Sequence, residues 1–348
     1  MQKNTTNIRF LSIEKLELFL QKNNHKVFRA KQIYEWLWKK SARTFDEMTN
    51  ISKDLRQLLK DNFVINALEI NSVQKSKDST IKTLFSTYDG NLVEGVLIPT
   101  KKRMTACISS QVGCNLDCNF CATGKIGFKR NLYFDEIYDQ LAIISKQAIE
   151  NYNIPVSNIV YMGMGEPLLN YKNVLKSIEM ITSPNALAMS PSRITVSTVG
   201  IPKMITKLGD DNVKFNLAFS LHTANEKKRN SIIPISKNES LKDITFALKY
   251  YHSKTNNRIS IEYILFKDFN DSLEDAKELA EFCKSFPVKI NIIEYNNVKG
   301  SVFQKSETQK MDAFIEFLET KNLIVNVRRS RGQDIDAACG QLANTNLE

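Results

Sequence analysis

No window of the 348-residue chain approaches the roughly 18 consecutive apolar residues that a membrane span requires. A helical membrane protein is therefore excluded. The opening MQKNTTNIRF lacks the apolar core of a signal peptide, so a cytoplasmic protein with no membrane partner is expected. Disorder is excluded for most of the chain as well, because 42% of residues are hydrophobic and 25% charged, a globular composition. Glycine is scarce, 12 in all, so any clustering of glycines carries information. The length fits two domains of about 150 residues, or one barrel-sized domain.

Acidic residues are in deficit. Lys plus Arg total 48 against 38 Asp plus Glu, a net charge of +10. The excess is local: residues 1–80 carry 15 basic and 9 acidic side chains, and residues 99–130 carry six basic against one acidic. From residue 131 onward the chain holds 26 of each sign. A confined basic excess suggests a partner with phosphates, with Lys101, Lys102, Arg103, Lys125, Lys129 and Arg130 as a candidate strip. A merely solvated surface accounts for the charge equally well.

The six cysteines are Cys107, Cys114, Cys118, Cys121, Cys283 and Cys339. A disulfide framework is not expected in a long cytoplasmic chain, so clustered cysteines point to metal binding or catalysis. Three form Cys114-x3-Cys118-x2-Cys121 in VGCNLDCNFCATG, bracketed by Gly113 and Gly124. A zinc site would want a fourth Cys or His at finger spacing, and His222 and His252 lie more than a hundred residues on. A four-iron cluster held by three cysteines leaves one iron open, which suits a centre that binds a substrate. Three unliganded thiols in one loop is the plain alternative. Cys283, in ELAEFCKSF, reads as a core cysteine.

Gly163 and Gly165 fall in YMGMGEPLLN, directly after the apolar run Asn158-Ile159-Val160-Tyr161. That pattern predicts a strand, a backbone-exposed turn and a helix from about Tyr171. From residue 104 the chain alternates β-branched runs with amphipathic ones. Strands are predicted at Thr105–Ser109, Asn158–Met162, Arg193–Ser197, Lys214–Leu221, Arg258–Leu265 and Val288–Tyr295. Helices are predicted at Phe134–Glu150, Tyr171–Ile181, Leu241–Ser253 and Ser272–Cys283. This is an α/β pattern of six parallel βα units, hence an open or partial (βα)6 barrel over residues 104–330. Sites in such folds lie at the carboxyl ends of the strands. There the chain sets the cysteine loop, Gly165-Glu166, Ser197, Ser220-Leu221-His222 and Asn296 in succession. Singly, each has a structural explanation; together they imply one site.

Residues 1–80 read as a small helical accessory domain, with helices at Ile13–Leu20, Ala30–Lys40 and Leu55–Phe63. In RAKQIYEWLWKK, Ile33, Trp36 and Leu37 form an apolar stripe flanked by Arg29, Lys31, Lys39 and Lys40. Core packing is expected for at least one of the two tryptophans, a nucleic-acid platform being the other use. Within residues 81–103, Lys82–Thr87 and Leu92–Ile98 flank Tyr88-Asp89-Gly90-Asn91, a hairpin that leads into the barrel.

The cysteine triplet followed by Gly163-Met164-Gly165-Glu166-Pro167 resembles the radical S-adenosylmethionine (SAM) superfamily. The strings ACISSQVGCNLDCNFCATG, SRITVSTVGI, LAFSLHTAN, IDAACGQL and FRAKQIYEWLW are similar to the RlmN family of dual-specificity RNA methyltransferases, over nearly the whole chain. The resemblance implies a radical-SAM barrel in which Cys114, Cys118 and Cys121 hold a [4Fe–4S] cluster whose open iron chelates SAM. It implies that Gly165 and Glu166 hold the amino end of SAM, with Ser197, Ser220, Leu221, His222 and Asn296 lining the rest of its pocket. It makes Cys339, in a tail of residues 331–348, the methyl-accepting cysteine, Cys107 the resolving cysteine and Glu94 the proton acceptor.

In the scheme so implied, one SAM methylates Cys339 and a second yields the radical that activates the methyl group. Carbon–carbon bond formation at C2 of an adenine gives a protein–RNA adduct, and Cys107 releases the product through a transient disulfide. This chemistry suits C2, which is electron-poor and cannot act as the nucleophile of ordinary methylation. Cys107 and Cys339 lie 232 positions apart, so a mobile tail is expected around Gly332 to Gly340. The implied substrates are 23S rRNA and the anticodon-adjacent adenine of tRNA, reached by base flipping, with a flavodoxin-like electron donor and a monomeric enzyme. Two alternatives stand beside this one. The related C8-methylating resistance enzyme shares the cysteines, although Pro167 and the LIP after Glu94 look more like the C2 family. A zinc-stabilised RNA-binding protein is the non-enzymatic one.

Overall fold

The computed structural model describes residues 6–101 and 103–343. Among them, ten strands form one sheet in the order of the sequence: β1 (Glu69–Lys75), β2 (Ile81–Ser86), β3 (Leu92–Pro99), β4 (Met104–Ile108), β5 (Asn158–Tyr161), β6 (Ile194–Thr198), β7 (Asn216–Ser220), β8 (Ile259–Leu265), β9 (Val288–Glu294) and β10 (Val325–Arg328). The first four are an antiparallel meander. From β4 to β10 every pairing is parallel. The crossovers carry helices at Phe134–Tyr152, Tyr171–Thr182, Pro202–Asp210, Leu241–Thr255, Leu273–Cys283 and Thr308–Thr320. β1 and β10 are the two edges, so the barrel is partial, as the alternation of elements predicts.

Two strands go beyond that expectation. β10 adds a seventh parallel strand, and β1 enlarges the expected hairpin into a meander from within residues 1–80. No helix among the described residues is long and apolar enough to cross a membrane.

The alternation of side chains separates two faces. Ile159, Tyr161, Ile194, Val196, Leu217, Phe219, Ile261, Tyr263, Ile290 and Ile292 are buried on the helix-covered face, where Tyr161 Oη meets Ser177 Oγ of a crossover helix at 2.8 Å. Burial of each large apolar side chain stabilises the fold by about 1.5–3 kcal/mol. The concave face carries Lys82, Glu94, Cys107, Ser197, Ser220, Glu262, Asn291 and Arg328, as the strand registers require. One face builds the core and the other is left for chemistry.

The amino-terminal helices are Ile13–Lys22, Arg29–Trp38 and Lys53–Asn62. The first begins at Ser12, whose hydroxyl accepts the Lys15 N–H. This unit docks on the helix Phe134–Tyr152, where buried Arg9 pairs with Asp139 at 2.7 Å. Trp38 is fully buried there, edge-on to Tyr138 with ring centres 5.1 Å apart. Trp36 is half-buried, and the Lys40 ammonium lies 3.9 Å from its ring centre.

Candidate active site

The loop after β4 is closed by a short antiparallel pair, Gln111–Val112 with Arg130–Asn131. Gly113 makes the closure possible: its φ is +74°, and a Cβ there would stand 1.7 Å from the Gly127 carbonyl oxygen. The Cys114 N–H donates to that same carbonyl at 3.2 Å. Cys114 and Cys118 are buried beside Leu116 and Phe120. Burial pushes the Cys114 thiol up to about 11 and Cys118 well above its ordinary value, and the neighbouring Cys121 raises both.

Among the described residues no three such ligands converge on a single ion. In a four-iron cluster each cysteine holds a different iron, so its ligands stand wider apart. Cys114 and Cys118, buried in an apolar loop and ionised only with difficulty, with Cys121 next to them, fit a resident group whose positive charge draws off thiol protons. These residues would hold a [4Fe–4S] cluster.

The turn after β5 packs directly on that loop. At Gly163 a Cβ would lie 2.5 Å from Ser109 Oγ, and at Gly165, with φ +92°, 2.4 Å from Gln111 Cβ. The backbone of this turn thus reaches the loop as only glycine allows. Glu166 is buried, and its carboxylate accepts the N–H groups of Leu168 at 3.0 Å and Val199 at 2.9 Å. Burial raises its carboxyl to about 7 against the pull of those bonds.

Ser197 and Ser220 end adjacent strands with their hydroxyls 3.1 Å apart. His222 follows at φ +59°. Its Nδ1 accepts the Ile264 N–H at 3.1 Å, its ring meets Phe120 of the cysteine loop at 4.8 Å, and burial lowers it to about 3. The ring is therefore neutral, and its proton sits on Nε2. Leu221 is buried beside it.

Beyond β10 the chain turns back across the concave face. The Gly332 N–H donates to Asp78 at 2.9 Å, and Asp334 accepts from the Ser76 hydroxyl at 2.5 Å. The Ala122 N–H donates to the Gly340 carbonyl at 2.7 Å, and Thr123 Oγ1 to that of Leu342 at 2.7 Å. Asn296 donates from Nδ2 to the Cys339 carbonyl at 3.3 Å and accepts from Gln333 at 2.8 Å. The Ala343 N–H donates to Glu94 Oε2 at 2.9 Å. The tail expected to be mobile is strapped down in this conformation.

Solvent reaches Cys339, yet the surrounding protein still raises its thiol, which also feels Arg328, Glu262 and Cys121. Cys107 is buried and raised, first by burial and then by Cys339. All six cysteines are free thiols, so Cys107 and Cys339 are neighbours without being bonded. Cys283 is buried among the helices, and burial alone raises it to about 12.

The fold thus brings the expected residues to one rim, with Asn296 and Glu94 spoken for by the tail. Three charged residues on the concave face, and one beneath the cysteine loop, were not singled out from sequence. Lys82 pairs with Glu94 at 3.2 Å, and Arg328 with Glu262 at 3.3 Å. Arg229, buried beneath the cysteine loop, donates to the carbonyls of Val199 and Leu221 and is lowered to about 10 by burial. A charge inside an apolar strand run, as in IKTLFS and ISIEYIL, is the signal that would have found Lys82 and Glu262. The basic strip needs correction at one member: Arg130 is half-buried and forked between Asp89 at 2.7 Å and Glu136 at 2.8 Å, so its charge is already matched. Lys102 lies outside the described residues.

Comparison with known proteins agrees with this geometry. Residues 6–65 match the ribosomal RNA large subunit methyltransferase N-terminal domain, and residues 108–283 match the radical SAM superfamily. A Flavobacterium johnsoniae protein, "Probable dual-specificity RNA methyltransferase RlmN", is 52% identical over the full length of both chains. The "Dual-specificity RNA methyltransferase RlmN" of Geotalea uraniireducens is 42% identical over 96% of each. Among solved structures, a radical SAM methyltransferase from Sphaerobacter thermophilus superposes with a TM-score of 0.92 at 34% identity, covering 97% of this chain and 99% of its own. Sequence and fold agree: the chain belongs to the RlmN family of dual-specificity RNA methyltransferases, within the radical SAM superfamily.

Proposed function

We propose that this radical SAM RNA methyltransferase forms 2-methyladenosine in 23S rRNA and at the anticodon-adjacent adenine of tRNA, through a methyl-cysteine on Cys339. The observation that carries the reading is that the bond from the Ala122 N–H to the Gly340 carbonyl, 2.7 Å, joins the Cys339 segment to that of Cys121, while Cys107 lies close enough to Cys339 for its thiol to be raised by it. A thiol that must first take a methyl group and then be attacked by a second thiol needs both neighbours.

When bound, the cluster and two successive SAM molecules would supply a methyl group and a carbon-centred radical to Cys339. The glycines at 163 and 165 let the turn pack on Ser109 and Gln111, Glu166 ties it to Leu168 and Val199, and Gly165 and Glu166 hold the amino end of SAM. Ser197, Ser220, Leu221 and His222 line the pocket, with the neutral ring of His222 offering one N–H. Asn296 holds the Cys339 backbone. Once the radical adduct has given up one electron, Glu94 accepts the C2 proton, and Cys107 attacks the Cys339 sulfur, so that the sulfur–carbon bond breaks, a Cys107–Cys339 disulfide forms and the product is freed. The same reading includes a flavodoxin-like electron donor and a monomeric, cytoplasmic enzyme.

The test is mass spectrometry of nucleosides from 23S rRNA and tRNA treated with the reconstituted enzyme. 2-Methyladenosine in both is expected, whereas 8-methyladenosine as the main product, or a colourless zinc protein that never cleaves SAM, overturns the reading.

A further inference from the structure

Lys82 and Glu94 form a buried ion pair on the concave face. They are 4% and 1% exposed, with Nζ and Oε1 3.2 Å apart. Lys82 lies opposite Val96 and Glu94 opposite Leu84, which sets the two charges diagonally on one side of the sheet. Cys107, opposite Val96 on the next strand, shares that side.

The tail completes the arrangement. Lys82 Nζ lies 3.4 Å from the Asp336 carbonyl, and the second oxygen of Glu94 accepts the Ala343 N–H at 2.9 Å. Of the charged and titratable groups around this carboxylate, Lys82 from β2 is in contact with it and Cys107 from β4 shares its side of the sheet, while the tail meets the pair through backbone, the Asp336 carbonyl and the Ala343 N–H.

A carboxylate taken out of water keeps its charge only beside a cation; otherwise it takes up a proton. A protonated Glu94 has no room for the proton of adenine C2.

We propose that Lys82 is the positioning residue that keeps Glu94 ionised and aligned while the tail is seated. The inference rests on the reading of Glu94 as proton acceptor. In the step it serves, after the radical adduct has given up one electron, the C2–H bond breaks and an O–H bond forms on Glu94. The electron pair stays with the RNA adduct, and Lys82 keeps its proton throughout.

Two measurements test this. The first is infrared difference spectroscopy of the unreconstituted protein against Glu94→Gln, which isolates the Glu94 bands. Wild type and Lys82→Arg are expected to show an ionised carboxylate at neutral pH, and Lys82→Met a protonated carboxyl. A protonated Glu94 in wild type overturns the proposal whether or not Lys82→Met folds.

The second is single-turnover product release against pH. Lys82→Met is expected to slow release about a hundredfold at neutral pH and to recover as pH rises, with KM for RNA unchanged and Lys82→Arg near wild type. A loss equal at every pH, or none, overturns the positioning role. Glu94→Gln separates the two readings: release at the wild-type rate from that variant removes Glu94 as acceptor. A slow Glu94→Gln beside a normal Lys82→Met removes only the role given to Lys82.

Discussion

The backbone N–H of Ala122, one residue past the third cysteine of the loop, donates to the carbonyl of Gly340, one residue past Cys339, at 2.7 Å. The two cysteine-bearing segments are therefore bolted together through main chain. Side-chain identity at either position does not make this bond, but backbone conformation does. Gly340 has φ +85°, and a Cβ there would stand 3.2 Å from the Phe120 carbonyl oxygen. Gly340→Ala is expected to disfavour the seated tail by about 1–2 kcal/mol, a 5- to 30-fold loss of docked molecules. Intact-protein mass spectrometry should show slower methylation of Cys339 with normal iron content. Equal methylation rates would disconnect the bolt from the chemistry.

Cys107→Ala removes the thiol beside Cys339 and leaves the backbone bonds that hold the tail to the cysteine loop in place. Because Cys107 is the group assigned to cleave the adduct, the variant is expected to accumulate RNA covalently attached through Cys339. Denaturing electrophoresis and peptide mapping read this directly, and recovery of free RNA alone would remove Cys107 from the resolving role.

Much of this was legible in advance, and the exceptions have physical causes. The six strands β4–β9 declare themselves because both of their faces are covered or half-covered, which demands β-branched runs. β1 does not, since nearly all of Glu69–Lys75 is exposed and reads as polar chain. β10 is four residues long and largely uncovered, too short for any period to show. The cysteine triplet and the two glycines were plain from spacing. Lys82, Glu262 and Arg328 were not, because a buried charge acquires meaning only with its partner, and each partner lies on another strand. Arg130 misled for the same reason: Asp89 and Glu136 neutralise it from outside the window in which charge was counted.

At the joint between the amino-terminal helices and the barrel, Arg9 serves two carboxyls. It bonds Asp139, while buried Asp135 accepts from Asn7 at 2.7 Å. Burial, opposed by Arg9 and reinforced by Asp139 and Glu136, raises the Asp135 carboxyl from 3.8 to about 7. The folded state therefore keeps a proton that the unfolded chain loses, and this contribution to stability declines as pH rises from about 4 to about 7. Asp135→Asn is expected to flatten that decline and to exceed wild type by a few kcal/mol above pH 7. The buried Glu166 titrates in the same range but is common to both proteins and cancels. Parallel plots of Tm against pH for the two proteins would refute it.

Of the basic strip, Lys101, Arg103 and Lys129 are exposed and Lys125 donates to the Lys299 carbonyl at 2.9 Å. Lys101→Gln with Lys129→Gln is expected to weaken RNA binding and to lower the slope of log affinity against log salt by about 0.7–0.9 per lost phosphate contact. Arg130→Gln should instead lower Tm and leave the slope alone. An unchanged slope in the double variant would take the strip out of the RNA interface.

Strand order equal to chain order has a consequence for biosynthesis. Each strand pairs with the one made just before it, so the sheet can be laid down progressively as the chain emerges. The bond between Glu94 and Ala343 spans 249 positions and must wait until nearly everything else is in place. A nascent chain therefore owns its scaffold before it owns Cys339, and competence for chemistry waits for the segment that carries that thiol across the sheet.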